Sequence, residues 1–386
     1  MAYPQSSVRL YNPPMVPMPD NSLPAAEPGK KVILGVSGGV DSAVAALLLK
    51  QQGYTVEALH MTNWDESDSY CTAAADYQDA RKVCEHLNIP LHRVNFAKQY
   101  QDRVFADFLA EYSAGRTPNP DVLCNRYIKF GEFYRYAERL GGDLIATGHY
   151  ARVRHEPDGS MLLKGLDNNK DQSYFLHAVL QEPLSKTLFP LGELPKTEVR
   201  RIANKAGLPN FAKRDSTGIC FIGERPFREF LSRYIADAPG NIEMTDGQVI
   251  GKHQGLMHHT LGQRQGLQIG GVKGCADEPW YVAGKDLKRN VLIAVQGREH
   301  PLLWSSGLRT EQLHWIGRSA PQVTNLSVKT RYRQKDVLAR VSLQTDGSAQ
   351  VDFEQPQWSV TPGQYVVFYA EDVCLGGGVI GQAFPI

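Results

Sequence analysis

The sequence predicts an α/β protein, in which an N-terminal parallel-sheet domain is followed by a small β-rich domain and a C-terminal β-barrel. At 386 residues the chain is too long for one ordinary hydrophobic core. Strand-like and helix-like segments alternate from residue 31 to about 144, which is typical of a parallel sheet covered by helices. Beyond residue 225, Asp-Gly turns separate short alternating runs, which indicates β-hairpins.

Changes of composition along the chain predict four segments. Residues 1–29 hold seven prolines and no periodic apolar face, so we expect a disordered tail. The parallel-sheet domain should then cover 30–225, the β-rich domain 226–302 and the barrel 303–386.

The parallel sheet should place its ligand site at the carboxyl ends of its strands. Apolar runs predict strands at 32–36, 55–61, 91–95 and 144–147, with helices near 42–52, 73–88, 98–113 and 125–140. In such a sheet, ligands bind in the crevice beyond the strand ends. We expect Met61 to pack on an adenine there and Gly148 to allow close backbone approach; a core methionine and a turn glycine are the alternatives.

The β-rich part has its own local signals. Asp246-Gly247 and Asp346-Gly347 are typical hairpin turns, because glycine accepts the positive φ that such turns require. Residues 337–343 and 365–369 alternate or concentrate apolar side chains and should form strands.

A glycine-rich loop joins the first predicted strand to the first predicted helix. Two adjacent glycines let the backbone turn tightly, so that successive N–H groups can converge on an anion at the positive end of the helix. Neither a Walker ending nor a G-x-G-x-x-G spacing occurs in this loop. An ordinary strand-to-helix turn is the alternative to a phosphate site. The candidate phosphate-binding residues are Gly35, Val36, Ser37, Gly38, Gly39, Val40, Asp41 and Ser42.

Whole-chain properties exclude several classes of protein. Lysine and arginine number 42 against 41 aspartates and glutamates, so any nucleic-acid contact must come from a local patch. Apolar runs such as 43–49 are far shorter than the roughly 18 residues that span a bilayer. We therefore expect a soluble cytoplasmic protein with no membrane contact. Six scattered cysteines without a C-x-x-C pair predict neither a disulfide framework nor a zinc site, and we expect no protein metal ligands.

Two of the six cysteines are candidates for chemistry. Cys124 follows a proline-stiffened loop and precedes a helical segment, where the helix dipole favours a thiolate and Asp121 is near enough in sequence to move a proton. A buried structural thiol is the alternative. Cys220 has apolar neighbours on both sides, which favours burial and low reactivity when it is considered alone.

A basic run at residues 328–335 suggests an RNA-binding strand. A strand period of two would put Lys329, Arg331, Arg333 and Lys335 on one face, as a ladder suited to a phosphate backbone. On such a strand Tyr332 would point to the other face or to an edge. An ordinary solvated strand face is the alternative to an RNA-binding one.

Seven motifs, taken in chain order, resemble those of the tRNA-specific 2-thiouridylases. The first is the S-G-G-x-D-S form of the PP-loop, which is similar to that of the ATP pyrophosphatases and implies their adenine nucleotide α-hydrolase-like fold. The resemblance covers about residues 30–386. The motifs are G-V-S-G-G-V-D-S (35–42), T-P-N-P-D-V-L-C-N (117–125), A-T-G-H-Y-A (146–151), K-D-Q-S-Y (170–174), D-S-T-G-I-C-F-I-G-E-R (215–225), H-T-L-G-Q-R (259–264) and R-Y-R (331–333).

The resemblance implies a two-part reaction on uridine in tRNA, at the wobble position. ATP with Mg²⁺ would adenylate the C2 oxygen, with pyrophosphate released into the loop. Cys220 would carry a persulfide and Cys124 would act as the nucleophile, leaving a Cys124–Cys220 disulfide and requiring a mobile segment around Cys220. Asp121 would transfer a proton.

The resemblance also implies contacts with tRNA and a partner protein. The target base would be flipped out of its stack to meet Asn119, Pro120 and Asp121, and the 226–302 domain would bind tRNA. A sulfur-donor protein, either a cysteine desulfurase or a relay protein, would supply the persulfide. The other residues implied to contact tRNA are His149, Lys170, Asp171, Gln172, Arg331, Tyr332 and Gln364.

Two other functions fit part of the pattern. A PP-loop ligase of the argininosuccinate or GMP synthase kind would make an adenylate for attack by nitrogen and would not need Cys124 or Cys220. A nucleotide-sensing RNA-binding protein would use the loop without catalysis.

Overall fold

The structure, a computed structural model, describes residues 29–64, 73–214, 226–272, 274–317, 320 and 324–386. The proline-rich tail predicted for 1–29, Gly29 excepted, and the segment around Cys220 lie outside these residues. The chain divides into two compact units. Of the described residues, those in 29–100, 127–173 and 180–214 belong to the first unit, and those in 101–126, 174–179 and 226–386 belong to the second. The predicted domain borders at 226 and 303 stay predictions.

Ten α-helices and seventeen strands are described. Up to residue 146 they are β1 (Lys31–Gly35), α1 (Val40–Gln51), β2 (Thr55–Thr62), α2 (Ala73–Leu87), β3 (Leu91–Asn95), α3 (Ala97–Tyr100), α4 (Ala106–Ser113), α5 (Pro120–Leu123), α6 (Phe133–Arg139) and β4 (Leu144–Ala146). Then follow β5 (Ala151–Glu156), β6 (Gly159–Lys164), α7 (Ser173–Leu176), α8 (Gln181–Ser185), β7 (Thr187–Leu188), α9 (Lys196–Lys205) and α10 (Phe227–Leu231). The rest are β8 (Gly240–Glu243), β9 (Val249–His253), β10 (Trp280–Asp286), β11 (Val291–Gln296), β12 (Trp304–Trp315), β13 (Asn325–Lys329), β14 (Val337–Leu343), β15 (Ala349–Trp358), β16 (Tyr365–Ala370) and β17 (Val373–Pro385).

The first unit is built on a parallel sheet, as the sequence predicts. Its five strands lie in the order β3-β2-β1-β4-β7 and every pairing is parallel. The central strand β1 carries Val32, Ile33 and Leu34, all fully buried, because strands covered on both faces need continuous apolar runs. The edge strand β7 was not predicted, since two residues are too short to show a period.

Helix α1 is buried around its whole circumference. Residues 43–49 are at most 1% exposed. They form one apolar core with strands β1 and β2 and with Val199, Ile202 and Ala203 of α9. A helix covered on all sides must be apolar on all sides, which explains the uniform Ala, Val and Leu composition.

The helix predicted near 125–140 begins earlier. Asn119 is its N-cap and Pro120 its first residue, a position where proline loses no hydrogen bond. A π-helical stretch, Cys124–Glu132, joins α5 to α6, and another, Gln101–Phe105, joins α3 to α4. Cys124 therefore lies one turn inside the helix.

The second unit contains two β-structures, as predicted. A four-stranded sheet has the order β10-β11-β8-β9. Six antiparallel strands, in the order β12-β15-β14-β13-β16-β17, close into a barrel because β17 also pairs with β12. Both predicted Asp-Gly turns are present, with φ of +88° at Gly247 and +81° at Gly347.

The predicted basic ladder is wrong. Strand β13 ends at Lys329, and Arg331 and Arg333 lie in the turn that follows. The side-chain carbonyl of Gln334 accepts hydrogen bonds from the backbone N–H groups of Thr330 (2.8 Å) and Arg331 (3.1 Å), and Arg333 has a φ of +65°. Local bonding of this kind competes with strand pairing and breaks the alternation on which the ladder depended.

In the described part of the chain, we find no helix with both the length and the apolar character that crossing a membrane requires.

Removal of core volume from α1 should destabilise the first unit. Leu47 is fully buried, so Leu47→Ala should lower the free energy of unfolding by about 2–5 kcal/mol, through lost apolar contact and the cavity left behind. The matched control is Leu166→Ala, since Leu166 is 54% exposed and should change it by less than about 0.5 kcal/mol. Calorimetry of both variants measures the difference, and equal transitions would contradict this account of the core.

Candidate functional site

The two serines of the glycine-rich loop after β1 form hydrogen bonds within the loop. Ser42 Oγ accepts the N–H of Ser37 (3.3 Å) and donates to the carbonyl of Gly39 (3.1 Å). The N–H of Gly39 points to Ser37 Oγ at 3.4 Å. These short-range bonds define the loop at the start of α1, where backbone N–H groups favour an anion.

Gly38 has a conformation and a position that only glycine fits. Its φ is +77°, and a Cβ there would lie 2.3 Å from the carbonyl oxygen of Asp76, at the start of α2. Its own carbonyl accepts a hydrogen bond of 3.0 Å from the buried side chain of Asn210. The loop is therefore pressed between two distant parts of the first unit.

Gly148 and Met61, the two residues predicted to line the crevice, lie in different surroundings. A Cβ on Gly148 would lie 2.9 Å from the backbone nitrogen of Ser42, so close backbone approach is indeed what this glycine permits. Met61 is half-buried near the end of β2. The same strand binds the loop's first residues, since Leu59 accepts the N–H of Val36 at 3.1 Å.

The acidic residue of the loop is held by a lysine that the sequence did not reveal. Lys196, the first residue of α9, places its ammonium 2.6 Å and 2.8 Å from the two carboxylate oxygens of Asp41. The hydroxyl of Tyr150 donates to the same carboxylate at 2.8 Å. An unpaired carboxylate would repel phosphate, so this pairing makes the loop compatible with an anion. No sequence signal links residues 41 and 196.

The segment that leads towards Cys220 is anchored beside the loop. Lys213 forms ion pairs with Asp76 (2.8 Å) and Asp79 (2.7 Å) of α2. Burial opposes the charge on Lys213, but these hydrogen bonds outweigh it and raise the pKa of its ammonium. Arg200 donates to the carbonyl of Lys213 at 2.6 Å. Cys220 itself lies outside the described residues.

His149 is a buried ring rather than an exposed one. It is 8% exposed, and its Nδ1 lies 2.8 Å from Thr147 Oγ1. Burial first, and then the charge of Lys129, lower the pKa of its imidazole well below the usual value. The ring is therefore neutral at pH 7, so its predicted contact with RNA would not be a charged one.

Residues 170–172 are bound into the first unit. The buried Asp171 accepts hydrogen bonds from the N–H groups of Gly165 (3.0 Å) and Ser173 (3.1 Å), which favours a structural role for its carboxylate. Gln172 Oε1 accepts the N–H of Tyr150 at 2.9 Å. Lys170 is half-buried beside them.

The second unit carries Cys124 and the loop before it. Cys124 is 2% exposed and Asp121, one turn earlier, is half-buried. The next residue, Asn125, donates to the carbonyl of Phe175 at 3.2 Å. The structure thus places the thiol in a well-packed helix.

The loop before this helix, residues 115–119, is fastened to the barrel. Gln364 donates through Nε2 to the carbonyls of Thr117 (2.7 Å) and Pro118 (3.2 Å), so this predicted tRNA contact bonds to the Asn119 loop. The N–H of Thr117 donates to Pro362 at 3.1 Å. Close approach requires Gly363, whose φ is +89°.

Arg331 and Tyr332 lie in the second unit, and Arg331 bonds to the segment just before Pro362, Gly363 and Gln364, which contact the 115–119 loop. The guanidinium of Arg331 donates to the carbonyls of Ser359 (2.8 Å) and Leu261 (3.2 Å). Burial lowers the pKa of this guanidinium, and these bonds favour a structural role for Arg331. The ring of Tyr332 packs on Phe175, with centroids 4.4 Å apart.

No group of three or more His, Cys, Asp or Glu side chains among the described residues could hold a metal ion.

Three family models match the chain in succession. They are described as a tRNA methyl transferase HUP domain (residues 30–224), a tRNA methyl transferase PRC-barrel domain (228–296) and an aminomethyltransferase beta-barrel domain (305–380).

Relatives match over nearly the whole chain and carry a different description. The protein of Vibrio cholerae described as tRNA-specific 2-thiouridylase MnmA is 58% identical over 364 residues, which is 93% of this chain and 98% of the relative. The protein of Stutzerimonas stutzeri with the same description is 60% identical over 360 residues, covering 92% and 95%. Among solved structures, U34-tRNA thiolase NcsA from Methanococcus maripaludis is 21% identical, with a TM-score of 0.34 over 53% of this chain and 63% of that one.

Gly38→Ala should abolish anion binding by the loop. The added methyl group would meet the Asp76 carbonyl at 2.3 Å and force the backbone out of its positive φ, so the N–H groups would lose their alignment. Isothermal titration with inorganic pyrophosphate measures the loss. Gly53→Ala, also at positive φ but with open space around its Cβ, is the control for conformational strain alone.

Lys196→Met should weaken pyrophosphate binding by about tenfold or more, because it leaves the Asp41 carboxylate without its ion pair beside an anionic ligand. Asp41→Asn should restore part of the affinity in the double variant. Lys205→Met, at the other end of α9, is the matched control. Unchanged titration of Lys196→Met would show that the pair does not serve anion binding.

Proposed function

This chain belongs to the family of tRNA-specific 2-thiouridylases, and we propose that it adenylates the C2 oxygen of the wobble uridine and replaces that oxygen with sulfur from a cysteine persulfide. Membership of the family makes it a tRNA sulfurtransferase acting at C2 of uridine. The finer mechanism below is supported by the phosphate loop, whose Ser37–Ser42 geometry is the observation that carries the proposal.

An activated oxygen is what the chemistry requires. The C2 oxygen of uridine is amide-like and leaves very poorly when sulfur attacks. Transfer of AMP from ATP converts it into a phosphate-ester leaving group and releases pyrophosphate. A loop that binds pyrophosphate through backbone N–H groups serves this step. It favours thiolation over the methyl transfer named by the family models, since methyl transfer needs no adenylate.

The loop also fits a Mg²⁺ ion bound with the nucleotide. Mg²⁺ is usually held by one or two carboxylates together with substrate phosphates, so it does not need a protein cage. Asp41, with 32% of its side chain exposed in the loop, is the carboxylate available for this ion. The ion would neutralise charge on the phosphates, while Lys196 balances Asp41 when the ion is absent.

Two thiols would supply the sulfur. A donor protein, a cysteine desulfurase or a relay protein, converts Cys220 into a persulfide. The terminal sulfur forms a bond to C2, either directly or after release as hydrosulfide, and AMP leaves with the oxygen. Cys124 takes up the Cys220 sulfur as a disulfide, so the transferred sulfur keeps the electron pair and becomes the thiocarbonyl. A thiol reductant restores both cysteines.

The surroundings of Cys124 fit its proposed role. Cys124 lies in a packed helix one turn after Asp121, the proposed proton-transfer group. Cys220 lies outside the described residues, and its role rests on the resemblance of the D-S-T-G-I-C-F-I-G-E-R motif (215–225) to the family.

The proposed tRNA contacts belong to two groups. Asn119, Pro120 and Asp121 meet the flipped uridine, which must leave its stack to be adenylated. His149, Lys170, Asp171, Gln172, Arg331, Tyr332 and Gln364 contact or support the surrounding RNA. Asp171, Arg331 and Gln364 form hydrogen bonds with backbone groups of the protein, which favours a structural role for these three side chains.

The deciding experiment is mass spectrometry of nucleosides from tRNA incubated with the protein, ATP, Mg²⁺ and sulfide. The proposal expects 2-thiouridine and one pyrophosphate per sulfur inserted. Pyrophosphate without thiolated uridine would indicate a different acceptor, and the absence of both would exclude the proposed catalysis.

Cys220→Ser should abolish transfer from a protein persulfide donor, because a hydroxyl cannot carry the sulfane sulfur. Cys124→Ser should lose it as well, since the disulfide can no longer form. Cys275→Ser, a half-buried thiol of the second unit, should keep full activity. Radiolabelled sulfur in tRNA measures all three, and full transfer by Cys220→Ser would refute the persulfide assignment.

A further inference from the structure

The first residue of the 115–119 loop is held by a lysine from another part of the second unit. Lys285, in β10, donates through Nζ to the carbonyl of Gly115 at 2.9 Å. The loop at Gly115 and the residues just after β10 are in close contact, because a Cβ on Gly115 would lie 2.4 Å from a methyl carbon of Leu287. Further along, Thr117 Oγ1 is 3.2 Å from Thr260 Oγ1.

Lys285 occupies a costly environment. Burial lowers the pKa of its ammonium to about 8. The titratable side chain that interacts with it is His259, whose own pKa burial lowers to about 4 and which is therefore neutral at pH 7. Within the described ranges, no carboxylate forms an ion pair with Lys285. Lys285 is half-buried, and an ammonium in such a place whose acceptor is one carbonyl is poorly compensated for its lost hydration.

Stability does not explain a lysine at this position. Methionine would bury a stem of similar length without the charge, and replacing buried charges by apolar groups is often stabilising. The ammonium does one thing that methionine cannot do, which is to hold the carbonyl of Gly115. That carbonyl begins the segment in which Pro118 and Pro120 restrict the backbone before Cys124.

We propose that Lys285 is a positioning residue for thiolation, which fixes the start of the 115–119 loop and thereby the helix after it, with Asp121 and Cys124. The proposal rests on the function proposed above. Reacting groups must be placed to within a fraction of an ångström, and displacement by 1 Å can cost about a hundredfold in rate. A stiff segment fastened at Gly115 by Lys285 and at Thr117 by Gln364 transmits both contacts to the helix that begins at Pro120.

The experiment compares three variants of the full chain in the tRNA thiolation assay with sulfide. Lys285→Met keeps the apolar stem but removes the donor, and its kcat should fall at least about tenfold while the KM for tRNA changes less than about threefold. Lys285→Arg keeps a donor and should recover most of kcat. Lys288→Met, an exposed lysine three residues away, should behave as the unmodified protein.

Two further measurements separate positioning from folding. The midpoint of thermal unfolding of Lys285→Met should be unchanged or higher, because a buried charge has been removed. The rate of Cys124 alkylation by iodoacetamide, measured by peptide mass spectrometry without tRNA or ATP, should rise at least threefold as the loop loosens.

An unchanged kcat in Lys285→Met would overturn the proposal, and so would a loss of kcat matched by a lower unfolding midpoint. If the unmodified protein makes no 2-thiouridine, the proposed function fails instead. The alkylation rates then still decide whether Lys285 restrains the 115–119 loop and the helix with Cys124. Equal rates in Lys285→Met and the unmodified protein would refute that restraint.

Discussion

Close backbone contact at positions without a side chain is the constraint on which the first unit's site depends. Gly38 brings the loop against the start of α2, and Gly148 brings the end of β4 against the start of α1. A methyl group at either position would enter occupied space. Because the loop's backbone is surrounded on these two sides, packing reinforces the loop's own hydrogen bonds, which are 3.1 to 3.4 Å long.

Charge balance is the second requirement. An acidic residue beside a phosphate site is unfavourable unless a cation accompanies it. Lys196 and Tyr150 together satisfy Asp41, and Lys213 does the same for Asp76 and Asp79 on the neighbouring helix. The acidic groups nearest the loop are thus paired within the first unit. Such pairs are partly buried, so screening by salt affects them less than it affects surface pairs.

The second unit solves a different problem, since it must hold an irregular loop in place. Residues 115–119 have no ladder partner and are bonded to Lys285, Thr260 and Gln364. The hydrogen bonds from Lys285 and Gln364 satisfy backbone carbonyls of this loop, which would otherwise be removed from water without a hydrogen-bond partner. Residues predicted to touch RNA, Gln364 and Arg331 among them, prove to bond to protein carbonyls, which makes the barrel a support for the loop.

By itself the sequence determined the parallel sheet, the glycine-rich turn between β1 and α1 and the two Asp-Gly hairpins, because periodicity, turn chemistry and motifs are properties of neighbouring residues. It predicted Cys124 just before a helix, whereas the thiol lies one turn inside that helix. It failed at the basic ladder, where the Gln334 side chain ends strand β13 by a local bond that periodicity does not contain. Only the tertiary structure decided which charged groups form ion pairs and which side chains bond to distant backbone carbonyls. Asp41 and Lys196 are 155 residues apart, and Gly115 and Lys285 are 170 apart. Such pairs form only when packing brings distant segments together, so no local pattern encodes them.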